Sequence, residues 1–119
     1  MSSISRRAIL GAALLPIFPA RAEERSFSLP IARGRVPAEM RTLRVRRGDT
    51  VRIDATVDQA AVLHVHGLRI EIAASPGEPG SATFPASATG RFPIHLHGAS
   101  AAGAHHHGVP LAYLEVHPQ

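Results

Sequence analysis

Arg91-Phe92-Pro93-Ile94-His95-Leu96-His97 is the stretch that settles how this chain folds. Phe92, Ile94 and Leu96 take every second position, with Arg91, Pro93, His95 and His97 between them. An extended strand sends successive side chains to opposite faces, whereas a helix would scatter this pattern around its axis. The same alternation recurs on both sides of it. Leu63 and Val65 alternate with His64 and His66, and Leu68, Ile70 and Ile72 alternate with Arg69 and Glu71. Leu43 and Val45, then Val51 and Ile53, flank the turn signal Arg47-Gly48-Asp49. Phe27–Ile31, Ser81–Phe84 and Leu111–Val116 complete the series. About eight short strands with turn residues between them predict an all-β fold, a two-sheet β-sandwich or a small barrel. No segment carries helical periodicity, and 10 Gly and 10 Pro punctuate the chain. Loops are expected at Ser75–Gly80 and at Gly98–Gly108.

Composition removes several kinds of chemistry. The chain has 119 residues, enough for one domain. It has no Cys, which excludes a disulfide framework, a thiolate zinc site, an iron–sulfur cluster and a blue-copper centre. All 13 basic residues are Arg, so lysine Schiff-base catalysis is excluded too. At the N-terminus, Ser5-Arg6-Arg7 precedes an apolar run from Ala8 to Phe18, and Ala20-Arg21-Ala22 is a small-x-small cleavage site. That order predicts a twin-arginine-type signal over residues 1–22, periplasmic export, and a domain at 23–119. The apolar run is too short to span a membrane. Removing the signal takes away three arginines and no acid, so the charge falls from +4 to +1. With one Tyr, no Trp and little net charge left, nucleic acid is not an expected partner. Arg41, Arg44, Arg46, Arg47 and Arg52 read as a strand edge guarded by charge.

The histidines carry the functional signal. His64-Val65-His66-Gly67 and His95-Leu96-His97-Gly98 are two H-x-H pairs. On a strand, residues i and i+2 share a face about 6.5–7 Å apart. Val65 and Leu96 continue the apolar face of Leu63, Ile94 and Phe92, so the imidazoles belong on the opposite face or at the rim. Neutral imidazole suits copper, zinc, nickel or iron, and copper binds most tightly in that series. His105-His106-His107, in the long loop before the last strand, is a third group of candidate ligands. His117, Glu71 and Glu115 are expected to face solvent.

At these residues the chain resembles the cupredoxins. Val45-Arg46-Arg47-Gly48-Asp49-Thr50-Val51 resembles the V-x-x-G-D-x-V hairpin of that family. Pro76-Gly77 through Phe84, followed by Thr89-Gly90-Arg91-Phe92, resembles the approach to the metal strand, and Leu111–Val116 resembles the final strand. His64-Val65-His66-Gly67-Leu68 is similar to the H-W-H-G-L motif of multicopper oxidases, and the segment from Gly90 to His97 to their G-T-Y-W-Y-H-S-H motif. The resemblance implies a cupredoxin-like Greek-key β-sandwich of about 7–8 strands. It implies that the two histidine strands are antiparallel neighbours and that His64, His66, His95 and His97 meet on one patch, half of a trinuclear copper cluster in those oxidases. Leu96 stands where the family's copper-binding cysteine is expected, and the H-C-H motif is missing. Blue-copper electron transfer and four-electron oxidation are therefore not expected of this chain.

The resulting expectation is a periplasmic protein that binds, buffers or delivers copper, with zinc as the second metal. Its metal ligands would be His64, His66, His95, His97, His105, His106 and His107. Its partners would be the copper ion and a periplasmic copper enzyme or transporter. Two alternatives use the same residues. One is a metal-free β-sandwich that assists assembly, with histidines as interface or pH-sensing groups. The other is a mononuclear copper redox enzyme, since His64-Val65-His66 also resembles the H-V-H of copper–zinc superoxide dismutases.

Overall fold

The computed structural model describes residues 22–98 and 109–119. The expected leader, apart from Ala22, and His105, His106 and His107 lie outside the described residues. Eight strands follow in order: β1 Glu24–Ile31, β2 Thr42–Arg46, β3 Thr50–Val57, β4 Ala61–Val65, β5 Ile70–Ala74, β6 Gly80–Pro85, β7 Gly90–Gly98 and β8 Ala112–His117. A single 3-10 turn, Ala38–Met40, precedes β2. No helix among the described residues is long and apolar enough to cross a membrane.

The strands form a sandwich of two sheets. One has the order β1-β3-β6, the other β2-β8-β7-β4-β5. Neighbours that are distant in sequence, such as β2 with β8 and β4 with β7, mark the crossovers of a Greek-key arrangement. The period-2 residues meet between the layers. Leu29, Val51 and Ile53 from the smaller sheet face Leu43, Leu63, Val65, Ile72, Ile94 and Leu114 from the larger one, all buried. Each fully buried Leu or Ile contributes about 1.5–3 kcal/mol, so this alternation both selects the strands and stabilises the sandwich. Where β5 and β6 pass from one sheet to the other, the backbones approach closely. A Cβ on Gly80 would collide with the Ala73 carbonyl oxygen, a backbone group that cannot move aside cheaply.

The turn signal Arg47-Gly48-Asp49 is present, with the Asp49 N–H donating to the Arg46 carbonyl at 3.0 Å. It does not make the hairpin that the family resemblance implies. β2 pairs in parallel with β8, while β3 pairs with β1 and β6 in the other sheet. The turn is a corner between layers. Local sequence cannot tell the two apart, because both need the same tight turn between two strands with inward apolar residues.

Asp49 holds this corner. It is the one buried charged residue among those described. Its Oδ2 accepts the Arg46 N–H at 2.9 Å and its Oδ1 accepts the Glu23 N–H at 3.0 Å. The backbone adds further links. The Gly48 N–H donates to Ala86 and the Ala86 N–H to Asp49, both at 2.9 Å, and the Arg47 N–H donates to His117 at 2.7 Å. The start of β1 and the ends of β2, β6 and β8 are thereby tied together.

The arginine reading holds in part. β2 is an edge strand of the larger sheet, with Arg44 and Arg46 exposed along it. Arg52 departs from that reading. It lies on β3, the centre of the smaller sheet, where it pairs with Asp54 at 3.1 Å. The Asp54 side chain raises the Arg52 pKa above its ordinary value.

The two backbone donors, Arg46 first and Glu23 second, hold the Asp49 carboxyl below its ordinary value of 3.8. A depressed carboxyl pKa contributes stability that is present above the ordinary value and lost as pH falls through the folded-state value. Asp49→Asn, which sets an amide N–H₂ against one of the two donors, is expected to lower unfolding free energy by about 1–3 kcal/mol at neutral pH. Denaturant titration of both proteins should show that gap closing as pH drops below the ordinary value of 3.8. A gap independent of pH would contradict a charged Asp49 at this corner.

Candidate metal centre

β4 and β7 run antiparallel side by side, with Leu63 opposite Leu96, His64 opposite His95, Val62 opposite His97 and Val65 opposite Ile94. Leu63, Val65 and Ile94 are buried to 1% exposure or less. Leu96 also packs against the core. With those residues turned inward, the pleat sends His64, His95 and His97 to the outer face. His66 follows at the start of the β4–β5 turn, where its N–H donates to the Pro93 carbonyl at 2.9 Å. The four histidines of the two H-x-H pairs thus meet on one patch of the larger sheet.

The rings pack along the diagonals of the ladder. His64 and His97 have centroids 4.5 Å apart, and His66 and His95 4.6 Å apart, both pairs edge to face. His64 and His66 are 6.3 Å apart. Two imidazoles each held about 2.0–2.1 Å from one ion, nitrogen to metal, fit separations of this size. The donor set, neutral imidazole without thiolate, suits copper or zinc. The orientation is a different matter. In each pair one ring offers its face to the other's edge, and among the described residues no three ligand-type side chains are arranged around a common point. Metal capture from this arrangement requires the rings to rotate about their side-chain bonds.

Of the two carboxylates expected to face solvent, Glu71 does so beside a partner, while Glu115 is half-buried in an ion-paired cluster. Glu71 lies opposite His64 on β5, and its Oε2 is 3.4 Å from His64 Nδ1 while its side chain stays 66% exposed. Together with His66 and Arg69 it lines a shallow concavity of about 460 Å³ beside the rings. A four-residue turn between β4 and β5 sets this register, so counting outward from the turn was the available signal for Glu71. Glu115, only 23% exposed, joins two arginines and an imidazole on the same outer face: Arg44 and Arg91 at 3.4 Å and His117 at 3.3 Å. Arg91 also sits 3.6 Å over the Tyr113 ring. His117, 53% exposed, is thus solvated as expected but not unpaired.

No protein-family model and no curated protein matches this chain. Solved structures do. A chain of a heme-copper terminal oxidase dimer aligns over 88% of this chain and 77% of its own length, with TM-score 0.62 and 16% identity. The multi-copper oxidase from Pseudomonas Thermotolerans aligns over 82% of this chain, with TM-score 0.61 and 23% identity, and the Cu-containing nitrite reductase from Thermus scotoductus SA-01 over 81%, with TM-score 0.62 and 24% identity. This chain spans only 30% of that oxidase and 28% of that reductase. The common feature is the fold, a cupredoxin-like β-sandwich.

The patch depends on the turn beside it. Gly67, which follows the first H-x-H pair, has φ +91°, and a Cβ there would lie 2.9 Å from Phe92 Cδ1. Gly67→Ala is therefore expected to destabilise the fold by about 1–3 kcal/mol, and to shift the NMR ring resonances of His66 and His95. An unfolding midpoint equal to the parent's would contradict this account of the turn.

Proposed function

We propose that this chain is a copper-binding domain of cupredoxin-like fold that binds, buffers or delivers the ion through His64, His66, His95 and His97. The observation that supports it is the meeting of four imidazoles on one partly exposed sheet face, in pairs 4.5 and 4.6 Å apart. Buried imidazoles would need fixed hydrogen-bond partners; partly exposed ones can exchange their ring contact for a metal bond at low cost. Copper is preferred to zinc because it binds imidazole more tightly. The multicopper oxidase and the copper-containing nitrite reductase that share the fold are copper proteins, which supports the same metal. A bound ion would supply a Lewis-acidic, redox-capable centre. The chain's own part is to present neutral ring nitrogens and to orient them, with Glu71 placed to accept a hydrogen bond from His64 Nδ1. His105, His106 and His107 are proposed as additional ligands. The twin-arginine pattern supports delivery of the protein to the periplasm, where a copper enzyme or transporter would be its partner.

A second reading, a metal-free module that assists assembly of another protein, is favoured by the edge-to-face packing of the rings. The two readings separate by experiment. Protein purified without a metal-affinity step is expected to bind about one copper ion per chain. Its EPR spectrum should show nitrogen couplings, and its optical spectrum should lack the intense visible band of a thiolate, since the chain has no Cys. Protons compete with the metal for imidazole nitrogen, so affinity should fall on acidification. His64→Ala with His95→Ala should abolish binding, and unchanged stoichiometry in that double variant would defeat the assignment.

A further inference from the structure

The geometry points to a second, unrelated ligand site at the end of the sandwich, a cavity suited to a small anion with an apolar tail, of the medium-chain carboxylate class. The cavity is about 700 Å³, within the size range of ligand pockets. Its floor is apolar, with Ile31, Val36, Leu96 and Leu111 against the core. Val109, the one large hydrophobic residue strongly exposed among those described, at 77%, stands at its edge. Three arginines, Arg33, Arg35 and Arg41, line it against a single acid, Asp58.

The cationic rim is built into the backbone. Ala32 and Arg35 exchange both backbone hydrogen bonds at 3.0 Å, closing a two-residue turn. Both central residues have positive φ, Arg33 at 56° and Gly34 at 76°. Such a turn favours Asn, Asp or Gly at its first central position. An arginine there is strained, and strained positions concentrate at functional sites. One Asp58 oxygen is already occupied, accepting the Arg33 N–H at 2.9 Å. The backbone of Arg41 is tied to β8, its carbonyl accepting the Tyr113 N–H at 2.8 Å. None of the three guanidinium groups is ion-paired among the described residues. A carboxylate at this arginine-lined rim would gain charge-assisted hydrogen bonds, and its alkyl chain would cover the apolar floor.

The test titrates the full chain with sodium octanoate by calorimetry and by amide chemical shifts. Saturable binding of about one molecule per chain below roughly 1 mM is expected. Acetate, lacking the tail, and 1-octanol, lacking the charge, should each bind at least about tenfold more weakly. Arg35→Gln with Arg41→Gln should weaken octanoate by at least about tenfold. So should Val109→Asp, an exposed position where folding is not at risk. The His64→Ala, His95→Ala protein should bind octanoate as the parent does, which separates this site from the copper reading. Absence of saturation, equal affinity for acetate, or parental affinity in a folded Val109→Asp protein would overturn the inference.

Discussion

On β4 and β7 a side chain can point only into the sandwich or away from it. Leu63, Val65 and Ile94 take the inward direction and are almost completely buried. Reversing either strand by one residue would carry these apolar groups to water and bring imidazoles into the core, where each would need a hydrogen-bond partner. The burial of three aliphatic side chains is therefore what places the histidines. The diagonal ring pairs, the partial exposure and the contact with Glu71 all follow from that single choice of face.

The corner at Asp49 ties the two layers together at one end of the sandwich. A carboxylate there accepts two backbone N–H groups, one from the end of β2 and one from the residue before β1, work that one neutral side chain cannot do as well. The corner is also where β1, β2, β6 and β8 end or begin. It stabilises the frame without touching the histidine patch, so the two can be perturbed separately.

The outer face of the larger sheet is divided. Toward β2 and β8 it is an ion-paired surface centred on Glu115, with Arg91 covering Tyr113. Toward β4 and β5 it carries imidazoles whose only nearby anion is the mostly exposed Glu71, among the described residues. Exposed ion pairs of the first kind contribute little to stability, but they occupy the polar groups of that half. Leu96 marks the contrast between the two sides of β7. Its neighbours His95 and His97 point outward, while Leu96 itself turns to the core and the end cavity, at the position where the cupredoxin resemblance expects a cysteine.

Strand existence, the inward set of apolar residues and the outward set of histidines were legible in the residues alone, because the two-residue pleat is a local property. So was the loss of thiolate chemistry, from the absence of Cys. Which strands become neighbours was legible only for β4 and β7, and there through a family resemblance. The corner at Arg47–Asp49, the place of Arg52 at a sheet centre and the pairing of Glu115 with Arg44 and Arg91 were not, since each joins segments far apart in the chain, whereas Glu71 meets His64 across one short turn. Ring orientation belongs to the same class. The amino-acid order determined that four imidazoles would share a face; the tertiary structure decided that they stack edge to face in diagonal pairs, because the packing of side chains across a ladder depends on register and on what the neighbouring strands supply.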